Sequence, residues 1–298
     1  MNQYTVVIIA TKGRPQEVSN LLETLEQQTI RPDKIVVSAC EPNDIAKGLA
    51  IPENAEVLFG PPGLPAQRNR ALSSVSGKCD IVVFFDDDFI PSRYWIEHIQ
   101  NLLTTQSDVD GVTGEVLADG VKTGGIRWPD GQAIVDRMDS SREKSAFVDN
   151  FRMRDIRSGY GCNMAFRARA IEHLTFDERL VLYGWLEDLD FGCRATAGGE
   201  KMIWSDAVWG VHLGINRGRV SGLKFGYSQV VNPWYLMKKG SIKPLDAAVH
   251  ILRGLVANSL AIFLPTSHVD RWGRLKGNII GMREIAFGRL APENIFKL

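Results

Sequence analysis

The sequence predicts an α/β fold built on a mostly parallel central sheet, and three observations carry that expectation. Tyr4-Thr-Val-Val-Ile-Ile-Ala10 is a continuous apolar, β-branched run, the pattern of a strand buried on both faces. Behind it Val18, Leu21, Leu22 and Leu25 recur at i, i+3, i+4 and i+7, which marks one face of a helix that starts near Pro15 and ends by Gln28. Further short apolar runs then alternate with helical segments, as βαβ units with right-handed crossovers do.

The elements follow in order. The first strand ends in the polar loop Thr11-Lys12-Gly13-Arg14-Pro15. Ile35-Val36-Val37 is the second strand and Glu56-Val-Leu-Phe59 the third. After the Gly/Pro turn from Gly60 to Pro65, Ala66 to Val75 reads as a helix, and Asp80-Ile-Val-Val-Phe-Phe85 is the fourth strand. Ala118 to Ser158 is polar and lacks clear periodicity, so a long loop or irregular insert over the sheet is expected there. Asn163-Met-Ala-Phe-Arg167 and Ala207-Val-Trp-Gly-Val-His212 read as later strands, with Leu186 to Ala197 a helix between them. After about Trp234 the pattern becomes helical, which divides the chain into an α/β domain over 1–235 and a helical extension over 236–298.

Composition narrows the class. The 298 residues are 44% hydrophobic and 23% charged, which excludes a disordered or fibrous chain and leaves room for a large core. Thirty-five basic residues balance 35 acidic ones, so nothing global favours a nucleic-acid partner. Cys40, Cys79, Cys162 and Cys193 lie far apart, without zinc-ligand spacing, and are expected to be reduced thiols. The N-terminal apolar run is short and lacks a basic start, so a cytoplasmic location is expected. The longest greasy stretch, Gly254 to Pro265, is interrupted by Asn258 and Ser259 and is too short to span a membrane. From Lys238 to Leu298 ten Lys/Arg face four Asp/Glu. Leu245 to Leu264 and Arg271 to Leu290 mix apolar and basic residues, the composition of helices that either dock on a domain or lie on an anionic membrane surface.

Three features point to chemistry. Asp86-Asp87-Asp88 follows Phe84-Phe85 directly, at the carboxyl end of a buried strand, where open α/β sheets bind ligands. If the extended chain persists one step, Asp86 and Asp88 share a side and repel unless a cation neutralises them; the plainer alternative is a solvated acidic turn. Glu187-Asp188 opens a helix, where carboxylates can serve catalysis or merely complement the helix dipole. His212 ends a strand, as a ligand or as a hydrogen-bonded structural residue.

The order and companions of these features resemble the family 2 glycosyltransferases, inverting enzymes with the GT-A fold, over roughly Thr5 to Gly214. Val7-Ile-Ile-Ala-Thr11 with Arg14-Pro15 is similar to the family's first strand and loop, and Pro65-Ala-Gln-Arg-Asn-Arg70 to its Ala-Arg-Asn helix. Asp86-Asp87-Asp88 matches its Asp-x-Asp metal motif, Gly161-Cys-Asn-Met-Ala-Phe-Arg167 its acceptor-side strand, Phe176-Asp-Glu its Phe-Asp-Glu segment, Glu187-Asp188 its Glu-Asp motif and His212 its strand-end histidine. One departure stands out: where the family commonly has Asp-Asp-Gly-Ser after the second strand, this chain has Ser38-Ala-Cys-Glu41 with Asp44 beyond.

The resemblance implies transfer of a sugar from a nucleoside-diphosphate sugar, of the UDP or dTDP type, to a hydroxyl acceptor in surface polysaccharide or glycoconjugate synthesis. The expected cofactor is Mn²⁺ or Mg²⁺, held by Asp88 and His212, the nitrogen ligand favouring Mn²⁺. Asp188 is the expected general base with Glu187 beside it. Thr11, Lys12, Arg14, Glu41, Arg68, Asn69, Asp86 and Asp87 are expected around the donor, with Arg14 and Arg68 offsetting phosphate charge, Asp86 or Asp87 on the ribose and Glu41 on the base. Gly161, Asn163 and Trp185 are expected on the side of a saccharide or lipid-linked acceptor. A nucleotidyltransferase is disfavoured because Thr11-Lys-Gly-Arg-Pro15 has one glycine and cannot cradle a triphosphate. An aspartate-nucleophile phosphatase is disfavoured by Phe89-Ile90-Pro91 after the acidic triplet. A sugar-nucleotide-binding protein without turnover is the non-enzymatic alternative.

Overall fold

A computed structural model describes residues 3–121, 123–142, 151–215, 220–260 and 269–298. The strands, numbered in chain order, are β1 (Thr5–Ala10), β2 (Lys34–Ala39), β3 (Ala55–Phe59), β4 (Ile81–Asp86), β5 (Phe89–Pro91), β6 (Val109–Asp119), β7 (Met153–Ile156), β8 (Asn163–Arg167) and β9 (Lys201–His212). They form one sheet in the order β3-β2-β1-β4-β8-β6-β9-β5, with β7 added on β9. The first four strands are parallel; β8 runs antiparallel between β4 and β6.

Alternation along the strands explains the continuous apolar runs. Val7, Ile9, Val37, Val83 and Phe85 face a layer made by α1 (Pro15–Glu26) and α3 (Trp95–Thr105). Val6, Ile8, Val36, Val82 and Phe84 face the other way, toward α2 (Leu64–Val75) and α6 (Glu187–Ala195). Both faces of β1 and β4 are therefore dry, as central parallel strands require. Because β1 lies between β2 and β4, the chain leaves its carboxyl end toward one side and the β4 end toward the other. Ala10 and Asp86 are register partners at that divide, which opens a crevice at the switch point.

The stretch expected as an irregular insert is mostly regular. β6 runs on to Asp119, α4 covers Trp128–Arg142, and β7 pairs with β9; residues 122 and 143–150 of that stretch lie outside the described residues. The helical pattern of α4 is hidden because it packs through Gly131 and Asp139 as much as through Val135. A side chain on Gly131 would strike Leu213, and buried Asp139 accepts hydrogen bonds from Ser92 Oγ at 2.7 Å and Trp209 Nε1 at 2.8 Å. Strand β9 is also longer than expected, starting at Lys201.

After α5 (Ala168–Ile171) and α6 come α7 (Gly222–Lys239), α8 (Pro244–Leu260) and α9 (Arg271–Ala286). The expected boundary at 235/236 falls inside α7, and residues 261–265 of the greasy stretch, with the end of the segment expected to run to Leu264, lie outside the described residues. The C-terminal helices are tied to the sheet domain by ions: Lys239 Nζ reaches Asp190 of α6 at 2.9 Å and Asp177 at 2.7 Å, and Ser241 Oγ donates to Asp190. Among the described residues no helix is long and apolar enough to cross a membrane.

Candidate active site

The acidic triplet sits where β4 turns into β5. Phe89 of β5 pairs with His212 of β9, so the turn carries Asp88 across the sheet to the end of β9, and Leu213 N donates to Asp88 O at 2.9 Å. Asp86, Asp88 and His212 converge: one ligand atom from each lies within 4.8 Å of the others. Each carboxylate has one oxygen held and one turned inward. Asp86 Oδ1 accepts from Arg68 Nη2 at 2.8 Å while Oδ2 lies 4.0 Å from His212 Nε2. Asp88 Oδ2 accepts from Ile215 N at 2.7 Å while Oδ1 lies 3.4 Å from His212 Nε2.

Asp119 and Tyr160 complete the group, and both were missed from sequence. Asp119 is the register partner of His212 on β6, and its Oδ1 lies 3.1 Å from His212 Nδ1. The Tyr160 hydroxyl donates to Asp119 Oδ2 at 3.3 Å. With Nδ1–H assigned to Asp119, Nε2 points at the two inward carboxylate oxygens, where it can hold a proton toward them or offer its lone pair to a cation, the arrangement that orients a metal-binding imidazole. Burial works against the imidazolium of His212, yet hydrogen bonds to Asp119 and Asp88 and the charge of Asp86 push its pKa up to about 10. The cluster thus demands positive charge. Its oxygen and nitrogen donors fit Mn²⁺ well and Mg²⁺ acceptably.

Asp87 faces the opposite way. It is buried, with Oδ1 2.7 Å from Arg14 Nη1 and Oδ2 accepting from Thr11 Oγ1 at 2.7 Å. It ties the β1 loop to the β4 turn, with a partner on each oxygen, and the residue lines the crevice. Arg14 is engaged by Asp87, by Asp88 at 3.4 Å and by the Ile215 carbonyl at 3.0 Å. Arg68 departs furthest from expectation. It is wholly buried under the rings of Phe84 and Phe176, donating to Asp86, to Glu187 Oε1 and to the Gly161 carbonyl at 2.8 Å, so it cannot face a diphosphate. Lys12 is exposed at the mouth of the crevice, where its ammonium group can reach a phosphate.

Asn69 and Asn163 are likewise structural. Asn69 exchanges hydrogen bonds with the Phe176 backbone, 2.9 Å to its O and 2.7 Å from its N, and reaches Glu178. Asn163 is buried with Oδ1 accepting from Gly114 N at 2.6 Å, which joins β8 to β6. Glu41 lies exposed past β2, whereas buried Asp44 accepts from Gly13 N, Cys40 N and Glu41 N and so braces the β1 and β2 loops. Gln67, also missed, donates to the carbonyls of Thr11 and Ser38 across the crevice floor. Trp185 packs its ring edge-on to Phe225 at 5.2 Å.

Glu187 and Asp188 open α6 on the far wall. The residue before them, Leu186, is held at φ 69°, a left-handed conformation that leucine adopts only when its surroundings enforce it. Glu187 is buried and braced by Arg68; burial pushes its carboxyl up to about 8 against the pull of that guanidinium. Asp188 Oδ2 accepts from Gly161 N at 2.9 Å and Oδ1 from Leu189 N at 2.8 Å, and desolvation raises its pKa although these bonds oppose it. A Cβ at position 161 would lie 3.2–3.3 Å from Asp188, Glu187 and Arg68, so all three would have to give by a few tenths of an ångström to accommodate a side chain there.

Residues 6–175 match the family model for glycosyl transferase family 2. The chain belongs to that family. The matched part includes the Asp86–Asp88 turn and Gly161–Asn163, and it stops before Glu187-Asp188 and His212. Among solved structures, this glycosyltransferase is similar to the mannosyltransferase PcManGT from Pyrobaculum calidifontis, solved in complex with GDP-Man and Mn²⁺, with TM-score 0.54, 14% identity, and coverage of 95% of this chain and 88% of that one. It is also similar to S. aureus TarS 1-349, with TM-score 0.54, 12% identity, and coverage of 96% and 83%. Against a longer TarS chain the TM-score is 0.51 at 15% identity; the match covers 88% of this chain and only 44% of that one. These likenesses establish the GT-A fold. No curated protein matches the sequence.

Proposed function

We propose that the protein is an inverting, metal-dependent glycosyltransferase that moves a sugar from a UDP- or dTDP-sugar to a hydroxyl of a saccharide or lipid-linked acceptor, in surface polysaccharide or glycoconjugate synthesis. The observation that carries this reading is the convergence of Asp86, Asp88 and His212, each with one atom turned inward, at the carboxyl ends of β1 and β4. A divalent cation bound there supplies Lewis-acid stabilisation of the departing diphosphate. Asp86 and Asp88 hold the charge needed for it, and Asp119 keeps His212 in the tautomer that leaves Nε2 available.

On the acceptor side, Asp188 is positioned by backbone N–H groups of Gly161 and Leu189, which hold its carboxylate while leaving lone pairs for an incoming hydroxyl. As the acceptor oxygen bonds the anomeric carbon, the bond to the diphosphate breaks and Asp188 takes the hydroxyl proton; attack opposite the leaving group inverts the centre. Glu187 and Arg68 keep α6 in place beneath it. Lys12 at the crevice mouth offsets the remaining phosphate charge, and Glu41, exposed past β2, is the carboxylate assigned to the base imide N–H.

The test is a panel of UDP-, dTDP- and GDP-sugars with and without Mn²⁺, scored by thermal protection and by nucleoside-diphosphate release, with the anomeric configuration of the product read by NMR. Protection and release by a UDP- or dTDP-sugar only with metal, and an inverted product, support the reading. Selective use of a GDP-sugar, the donor type bound in PcManGT, overturns the base assignment. Release independent of metal overturns the role of the Asp86, Asp88 and His212 cluster, and a retained configuration overturns the role of Asp188.

A further inference from the structure

Helices α8 and α9 are built inside out. Toward the rest of the protein α8 turns Ala247, Gly254 and Asn258, and α9 turns Gly277, Asn278 and Gly281. Asn258 Nδ2 donates to Asn278 Oδ1 and to Gln229 Oε1, both at 2.8 Å, and Asn278 Nδ2 donates to the Gly226 carbonyl at 2.7 Å. The glycines let backbones touch: a Cβ on Gly277 would lie 2.1 Å from the Leu223 carbonyl. Amide hydrogen bonds and small residues on α8 and α9, packed against Val230, Val231 and Leu236 of α7, therefore hold the three helices together.

The outward faces carry the apolar side chains. On α8, Leu245 is 73% and Leu260 72% exposed, with Leu252 and Val256 between them at helical spacing. On α9, Trp272 is 62% exposed, followed by Ile279 and Met282, and Phe287 just past its end is 67% exposed. A helix docked on a water-soluble domain shows the reverse pattern, and an exposed apolar surface of this extent marks an interaction site. Charge identifies what covers it. Exposed Arg253, Lys276, Arg283 and Arg289 lie among these residues. The two acidic residues of α8 and α9 are engaged elsewhere, Asp246 by Arg157 at 3.5 Å and Glu284 by the Tyr227 hydroxyl.

We propose that α8 and α9 lie in the headgroup region of an anionic bilayer, their leucines, Trp272, Ile279 and Phe287 entering the acyl boundary while the basic side chains reach the lipid phosphates. Interleaved long cationic and apolar residues suit that boundary, and tryptophan favours it. Helices too short and too charged to cross a membrane lie along its plane. A second copy of the chain fits the face less well, because an isologous contact would bring together two faces that both carry Arg253, Lys276, Arg283 and Arg289.

The experiment uses the full chain with phosphatidylglycerol-containing vesicles and with pure phosphatidylcholine vesicles, and no donor or acceptor, so its outcome is independent of the proposed reaction. Expected are co-sedimentation with anionic vesicles only, release by salt, and a blue shift of fluorescence that disappears in Trp272→Phe. Lys276→Glu with Arg283→Glu should weaken retention by more than about tenfold, since each basic group near an anionic surface contributes about 1 kcal/mol. Leu252→Ser with Ile279→Ser should weaken it while leaving the unfolding temperature unchanged, both side chains being exposed. Absence of retention, or retention unaffected by either double variant, overturns the proposal. So does a concentration-dependent dimer that Leu252→Ser with Ile279→Ser dissolves, which would assign the face to a second copy.

Discussion

Two clusters of carboxylates border the crevice, one at the end of β4 and one at the start of α6, and they are neutralised differently. At the end of β4, Asp86 and Asp88 each keep an oxygen turned to a common point with His212, and no resident side-chain cation other than that imidazole occupies it among the described residues. At the start of α6, Glu187 has its own guanidinium, Arg68, and Asp188 is held by backbone N–H groups. The first group turns three ligand atoms to one point and could hold a cation there, whereas the second carries its own positive partner. Arg68 touches both through Asp86 and Glu187, so it sets the spacing between the two clusters.

That contrast can be broken at several points. The largest effect is expected of Asp88→Ala, which should abolish the Mn²⁺-dependent part of nucleoside-diphosphate binding in calorimetry without loss of fold; unchanged affinity with Mn²⁺ would remove the metal role from the β4 cluster. Asp188→Asn should preserve donor and metal affinity and lower turnover by roughly 10² to 10⁴, the range a positioned general base supplies. If turnover survives in Asp188→Asn and is lost in Glu187→Gln, the two roles exchange. Arg68→Met leaves Glu187 and Asp86 without their buried partner and should cost about 3–5 kcal/mol in denaturant unfolding; a cost below about 1 kcal/mol, the level of an exposed ion pair, would show that Arg68 does not brace the walls. Asp119→Asn acts through His212 and should weaken metal affinity by about 10- to 100-fold, measured by Mn²⁺ titration. The mildest change is expected of Glu187→Gln, since the amide oxygen can still accept from Arg68, and a turnover assay should place it clearly above Asp188→Asn.

Much of this arrangement was legible in the chain because it depends on local pattern. The run Thr5–Ala10 must be a central strand since nothing in it tolerates water, and Asp86 must lie at a strand end since a carboxylate cannot follow Phe84-Phe85 into the core. The pairing of Asp119 with His212 was not legible, because they are 93 residues apart and meet only through the β6 and β9 register. Arg68 was misread for a related reason. An arginine in a helix near a nucleotide crevice looks like a phosphate ligand, and only packing shows that Phe84 and Phe176 close over it. The helix α4 escaped notice because its buried contacts run through Gly131 and Asp139, which carry no hydrophobic period. In α3, by contrast, Trp95, Ile96, Ile99, Leu102 and Leu103 follow a helical period that the chain itself carries.

By itself, then, the sequence determined the parallel α/β core, the acidic turn at its carboxyl edge, the acidic start of α6, the family and the basic helical tail, all of which are written in residues adjacent or one helical turn apart. Tertiary structure alone decided which partner each charge takes: Asp87 with Arg14 and Thr11, Arg68 with Glu187 and Asp86, His212 with Asp119, and Asn258 with Asn278 inside a tail whose apolar side chains point outward. The physical reason is range. Backbone propensity and hydrophobic period act within a few residues, whereas a buried charge or amide is settled by whichever complementary group the folded chain brings within about 3 Å, however distant it is in sequence.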